Sequence, residues 1–157
     1  MEGIITPLNS AQDGAACAGI MIASEPWITF RTTYDEALSV INDPDNETFI
    51  FKLSDGTVAG FVTITLKGSL PGYIKRIAVS GKHRSVGMGK ELMMFAEQRI
   101  LPRTKNVFLC VSDFNPGAID YYLNLGYEKI GEIKDYLVNG KREFIMRKTA
   151  GPLKEIL

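Results

Sequence analysis

Arg84-Ser85-Val86-Gly87-Met88-Gly89 is the stretch of this 157-residue chain whose residue types and spacing are best suited to chemistry. Two glycines around a helix start let backbone N–H groups approach a ligand closely, and the helix N-terminus adds about half a positive charge aimed at it. The chemistry is therefore anion binding. Lys82, His83, Arg84 and Lys90 flank the turn, which points to a phosphate ester. The apolar strand before it implies a ligand charged at one end only. The alternative is a tight strand-to-helix turn that holds nothing.

Two familiar phosphate cradles fail on the letters. A dinucleotide fold requires a third glycine three residues after Gly89, where Leu92 stands, and an acidic residue closing the next strand, which here ends Val111-Ser112. A P-loop requires Ser or Thr after Gly89-Lys90, and Glu91 follows instead.

The elements that position the turn run from Tyr73 to Ile100: a strand over Tyr73 to Val79, then a helix from Met88 with Leu92, Phe95, Ala96 and Ile100 on one apolar face, stopped by Pro102. Before them, Gly3 to Leu8 predicts a strand, and Asn9 or Ser10 caps a helix to about Ala23. Ser24 to Thr33 is a loop carrying Trp27 and Phe30, and Tyr34 to Ile41 is helical. This helix-loop-helix is a candidate substrate lid; the plainer reading makes Trp27 and Phe30 core residues. Thr48 to Leu53 and Thr57 to Lys67 form a hairpin around Asp55-Gly56. After the organising turn come a doubly covered strand, Asn106 to Val111, and a helix capped by Asp113 or Asn115, with Pro116 near its start and Gly126 just beyond its end. A second hairpin pairs Tyr127 to Ile133 with Arg142 to Lys148 around Asn139-Gly140, and the tail from about 149 is loosely held. With no repeat or linker, residues 1–157 suit a single α/β domain.

Composition narrows the class. Hydrophobic residues make up 45% of the chain, enough for a sizeable core, and the formal net charge is zero, which gives no support for a nucleic-acid partner or an anionic membrane. The apolar run Ala15 to Ala23 follows Glu2 and Asp13 where a signal peptide carries basic residues, so it is expected to be a core helix. No apolar run reaches the roughly 18 residues that span a bilayer. Two distant cysteines, Cys17 and Cys110, indicate a reduced, cytoplasmic protein, and one histidine, His83, argues against a metal site.

The strand Ile77 to Val79, the turn RSVGMG and the segment NPGAIDYYLNLGY (Asn115 to Tyr127) together resemble the GNAT superfamily of acetyl-coenzyme A dependent N-acetyltransferases. The last segment matches the family pattern at Asn115, Ala118, Tyr122, Gly126 and Tyr127. The resemblance covers roughly Val58 to Lys148. It implies a mixed, mostly antiparallel sheet of six or seven strands flanked by about four helices, with strands four and five splayed.

Acetyl-coenzyme A, as co-substrate and without a metal, is the ligand so implied. Its pyrophosphate would lie on the backbone amides of Val86, Gly87, Met88, Gly89 and Lys90, with Ser85 in the same turn and Arg84 and Lys82 adding charge. Its pantetheine arm would lie along Ile77, Ala78 and Val79, contact Asn115, and pass Tyr122. The N–H of Ile77 would polarise the thioester carbonyl, and Tyr122 would protonate the leaving sulfur; the plainer reading of Tyr122 is a core tyrosine. Cys110 lacks a nearby base and makes a poor acyl carrier. The fourth strand, Tyr73-Ile74-Lys75-Arg76, lacks the glutamate many relatives use as base, leaving Glu25, Asp113, Asp135 or a water chain open. The acceptor, a small amine or a peptide N-terminus, would meet Trp27 and Tyr136. A homodimer is compatible with the family, and a non-catalytic acyl-coenzyme A sensor is the alternative function.

Overall fold

The structure is a computed structural model that describes residues 2–156. Seven strands, β1 (Gly3–Pro7), β2 (Glu47–Leu53), β3 (Val58–Thr65), β4 (Tyr73–Val79), β5 (Asn106–Ser112), β6 (Glu128–Lys134) and β7 (Arg142–Thr149), form one sheet in the order β1-β2-β3-β4-β5-β7-β6. Four helices accompany them: α1 (Ala11–Ile22), α2 (Tyr34–Ile41), α3 (Met88–Thr104) and α4 (Pro116–Asn124). The pairs β1·β2, β2·β3, β5·β7 and β6·β7 are antiparallel, whereas β4 and β5 run parallel with Tyr73 opposite Phe108. This is the mixed, mostly antiparallel architecture that the resemblance implies.

By contacts the chain divides into two compact units, one made of the residues up to Thr65 with Ile74–Gln98, the other of Leu66–Tyr73 with the residues from Arg99 onward. In the first, β2 is covered on both faces, which is why ETFIFKL is nearly continuous in apolar character. Ile50 joins Cys17, Ala18, Met21, Ala37 and Ile41 in a core with α1 and α2, while the Phe49 ring packs 4.8 Å from Phe95 of α3. Phe61, wholly buried, contributes about 2 to 3 kcal/mol by leaving water. Ser10 caps α1 through the N–H of Asp13, and Thr33 and Glu36 form a reciprocal capping box on α2. Gly60 lets β3 approach β4: a Cβ there would stand 2.8 Å from Ala78 O.

In the second unit, Val107, Leu109 and Val111 of β5 and Met146 of β7 are buried. α4 closes with a Schellman pattern in which Tyr127 N–H donates to Tyr122 O and Gly126 N–H to Leu123 O, both at 3.0 Å, with Gly126 at φ 93°. The sequence placed Tyr127 in the following strand; this bond holds it in the helix stop instead, and β6 starts at Glu128. Ala150 N–H donates to Lys105 O, and Asn106 Nδ2 donates to Gly151 O.

The helix expected to stop at Pro102 continues to Thr104. Proline removes one donor but leaves later bonds intact, and Lys105 N–H still reaches Leu101 O at 2.9 Å. The actual terminator is Lys105, at φ 60°. The second hairpin also differs in detail, because its connection runs from Asp135 to Lys141 and Asn139-Gly140 is only its last bend.

Candidate active site

The turn between β4 and α3 has the form that anion binding requires. Ser80 N–H donates to Ala59 O, fixing the end of β4, and a single 3-10 turn, Gly81–His83, follows. Ser85 and Gly87 both adopt the left-handed conformation, at φ 67° and 89°. For Ser85 that costs about 1 kcal/mol, the kind of local strain that accumulates at working sites. Met88, only 2% exposed, anchors the start of α3 in the core. Glu91 N–H donates to Gly87 O at 3.1 Å, opening the helical ladder, so the N–H groups of Met88, Gly89 and Lys90 have no carbonyl one turn back. A Cβ on Gly87 would meet nothing within 4 Å, and the space above the turn is open.

Arg84 has a different place from the one the motif suggests. Its Nε donates to Val79 O at 3.1 Å and its Nη2 to Ser24 Oγ at 2.9 Å. Ser24 is itself buried and donates to Ile20 O. The guanidinium therefore spends two donors bracing the turn against β4 and the end of α1. Lys82 and Lys90 are exposed and His83 is half-buried. Asp55, at the β2–β3 turn, is held below the usual carboxylate range mainly by the Thr57 N–H, with a smaller contribution from His83. Ile77 and Val79 are half-buried, and Ala78 is buried.

In the second unit, Asn115 occupies the N-cap position of α4, yet its side chain makes no capping hydrogen bond. Asp113 does not cap either, since its Oδ2 accepts from Arg142 N–H at 3.2 Å. Tyr122 is half-buried, with its ring set edge-on to Tyr121 at 5.3 Å and to Tyr127 at 5.9 Å. Removal from water pushes its phenol well above the ordinary value, so it stays protonated at neutral pH. Cys110 is half-buried beside Tyr73; burial raises its thiol, which keeps it a poor nucleophile.

The acetyltransferase (GNAT) family model matches residues 18–127. The chain belongs to the GNAT family of acetyltransferases. Among solved structures it is similar to a GNAT acetyltransferase from Desulfovibrio desulfuricans, with a TM-score of 0.80, 16% identity, and 96% of this chain and 100% of the other covered. It is also similar to a ribosomal-protein alanine N-acetyltransferase from Escherichia coli, with a TM-score of 0.76, 18% identity, and 99% of both chains covered. An aminoglycoside 6'-N-acetyltransferase complexed with coenzyme A aligns with a TM-score of 0.76 at 14% identity, covering 97% and 99% of the two chains. At these identities the likeness concerns the fold.

For a GNAT enzyme the sequence leaves a base to be found, and the three carboxylates it offers all have local work. Glu25 Oε2 accepts from Thr29 N–H, Asp135 Oδ1 accepts from Gly140 N–H at 2.6 Å inside the β6–β7 loop, and Asp113 pairs with Arg142. Trp27 leans on the α1–α2 core, and Tyr136 is 63% exposed on the β6–β7 loop. The carboxylate that sequence reasoning missed is Glu143 of β7, which is 5% exposed and accepts a 2.6 Å hydrogen bond from Ser112 Oγ. In REFIMRK it looks like an ordinary polar position of an alternating strand. Only the β5·β7 register, which puts it opposite Ser112, distinguishes it. Among the described residues no group of three His, Cys, Asp or Glu is placed to hold a metal ion.

Proposed function

We propose that this GNAT chain is an N-acetyltransferase that moves the acetyl group of acetyl-coenzyme A to a primary amine by direct attack. The observation that carries the proposal is the set of unpaired N–H groups of Met88, Gly89 and Lys90 at the mouth of α3, opened by a glycine that only its backbone requires. Three convergent donors on a helix N-terminus suit a pyrophosphate. Ser85, Val86 and Gly87 complete the loop around it, and Lys82 and Lys90 supply mobile charge. Arg84 acts chiefly as the brace that holds this loop in shape.

The amine nitrogen forms a bond to the thioester carbonyl carbon, the carbon–sulfur bond breaks, and its electron pair leaves on sulfur. The Ile77 N–H is the donor assigned to the carbonyl oxygen as charge develops there. Tyr122 supplies the proton to sulfur. Its burial favours the neutral phenol, so transfer is favourable only when the departing thiolate is equally dehydrated. Asn115, whose amide is not used as a cap, is assigned to the pantetheine arm, along with Ala78 and Val79. Trp27 and Tyr136 are assigned to the acceptor.

The test is thiol release from acetyl-coenzyme A in the presence of spermidine, kanamycin or an alanine-terminated peptide, with the acetylated product identified by mass spectrometry. Turnover with one of them, abolished by Gly87→Glu, is expected. Saturable coenzyme A binding without thiol release for any acceptor would replace this reading with that of a sensor.

A further inference from the structure

In the β5·β7 ladder Ser112 lies opposite Glu143 and Cys110 opposite Ile145, and in the β4·β5 pair Tyr73 lies opposite Phe108. Paired residues share a face, and a strand alternates faces. Tyr73, Cys110, Ser112 and Glu143 therefore stand on one side of the sheet, opposite the side that buries Val107, Leu109 and Val111. The four form a polar strip: Tyr73 and Cys110 lie close enough to influence one another, and Ser112 Oγ donates to Glu143 Oε1 at 2.6 Å.

What singles out Glu143 is its missing counter-charge. Buried carboxylates normally keep a cationic partner. Among the described residues Glu143 has none, because its neighbour in sequence, Arg142, directs Nε to Asp113 at 3.7 Å and Nη1 to Glu132 at 3.6 Å. The hydrogen bond from Ser112 engages Oε1 and leaves Oε2 for a second donor. A protonated primary amine brings both the charge and the donors that are lacking.

We propose that Glu143 receives the acceptor's ammonium group and takes its proton, which makes the acceptor class aliphatic primary amines that are charged in solution. The inference rests on the acetyltransferase reading above. In balance, the ammonium gives one proton to the Glu143 carboxylate, and the freed lone pair attacks the acetyl carbon. The second proton lost from nitrogen replaces the one Tyr122 delivers to sulfur, and Glu143 later returns its proton to solvent. Burial, opposed by the Ser112 hydrogen bond and reinforced by the Asp113 charge, holds the Glu143 carboxyl above its ordinary value, closer to working pH. The titratable groups that bear on it are Asp113, Cys110 and Tyr73, and Arg142 is its neighbour in sequence.

The experiment measures kcat/KM against pH, on the full chain, for the acceptor that turns over in the panel above, comparing wild type with Glu143→Gln and Ser112→Ala. Glu143→Gln is expected to lose about 10²-fold or more at neutral pH and to lose the acidic limb of the profile. Ser112→Ala keeps the carboxylate but removes the bond that favours its charged form, so its acidic limb moves to higher pH. Coenzyme A binding by calorimetry is unchanged in both, which separates loss of the base from loss of the fold. Turnover in Glu143→Gln within threefold of wild type with the same profile overturns the role of Glu143 and leaves the acetyltransferase reading standing. No thiol release from wild type with any acceptor overturns both.

Discussion

Arg84 Nη2 lies 2.9 Å from Ser24 Oγ, so a residue of the turn before α3 is tied to a buried serine just after α1, sixty positions earlier. A brace and a phosphate clamp make different demands on the side chain. A clamp that acts through charge alone is preserved by lysine; a brace needs the planar fork that reaches Val79 O and Ser24 Oγ together. Arg84→Lys should therefore resemble Arg84→Ala, each losing about 1 kcal/mol of stability and several-fold in coenzyme A affinity. Thermal melts and calorimetry on the pair would show it, and Arg84→Lys with wild-type affinity would restore the clamp.

Gly87, at φ 89° with open space around its missing Cβ, separates backbone strain from crowding. Gly87→Ala adds a methyl group that touches nothing, yet it forces an L-residue into a left-handed conformation at about 1 to 2 kcal/mol. Gly87→Asn, which tolerates that conformation, should recover most of the stability. Both should weaken coenzyme A binding less than Gly87→Glu, which brings a negative charge against the N–H groups of Met88 and Gly89. Titration calorimetry orders the three.

Tyr122 is edge-on to Tyr121 and Tyr127, so Tyr122→Phe keeps the ring packing and removes only the hydroxyl. If the hydroxyl protonates sulfur, kcat should fall by about 10²-fold with KM for acetyl-coenzyme A little changed. Steady-state kinetics at saturating acceptor reads this directly. A larger rise in KM than fall in kcat would make the residue a wall of the site.

Much of this architecture was legible in the letters because it depends on local pattern. The bounds of β4 and α2 emerge intact, since Asp43-Pro44 follows α2, and Gly72 and the turn residues after Val79 bracket β4. The turn before α3 was legible for the same reason, because Gly87 answers a backbone demand. What stayed hidden depends on register and on long-range hydrogen bonds. Arg84 as a brace needed Ser24, and Glu143 as a buried carboxylate needed Ser112, 31 positions away. Pro102 misled because a proline near the end of a helix removes one donor and leaves later bonds, such as Lys105 N–H to Leu101 O, intact.

Asp13, on α1, accepts from Lys52 Nζ at 2.9 and 3.1 Å, and this hydrogen-bonded pair holds its carboxyl below the ordinary value despite its burial. A folded-state pKa below the unfolded one adds stability that is fully present above the unfolded value, near 3.9, and is lost as pH falls through the folded one. Lys52 keeps 35% of its side chain in water, which limits the pair to about 1 kcal/mol. Asp13→Asn should lower the melting temperature by a few degrees at pH 7. The difference should narrow as pH falls through the folded value, where wild type also becomes neutral at this position, and melts followed downward from pH 7 test both halves.

Glu143 carries the opposite sign. Its carboxyl is raised in the folded state, chiefly by burial, so the native protein holds that proton more tightly than the unfolded chain does. Stability from this group is fully present below the unfolded value, near 4.3, and declines as pH rises through the raised one. Gln can still accept from Ser112 Oγ and never has to carry a buried charge. Glu143→Gln should therefore melt at or above the wild-type temperature at pH 8, and near it at pH 4, while losing activity. A gain in stability with a loss of turnover is the pattern of a group kept for chemistry at the fold's expense. A Glu143→Gln protein less stable than wild type at pH 8 would instead make the carboxylate a structural partner of Ser112.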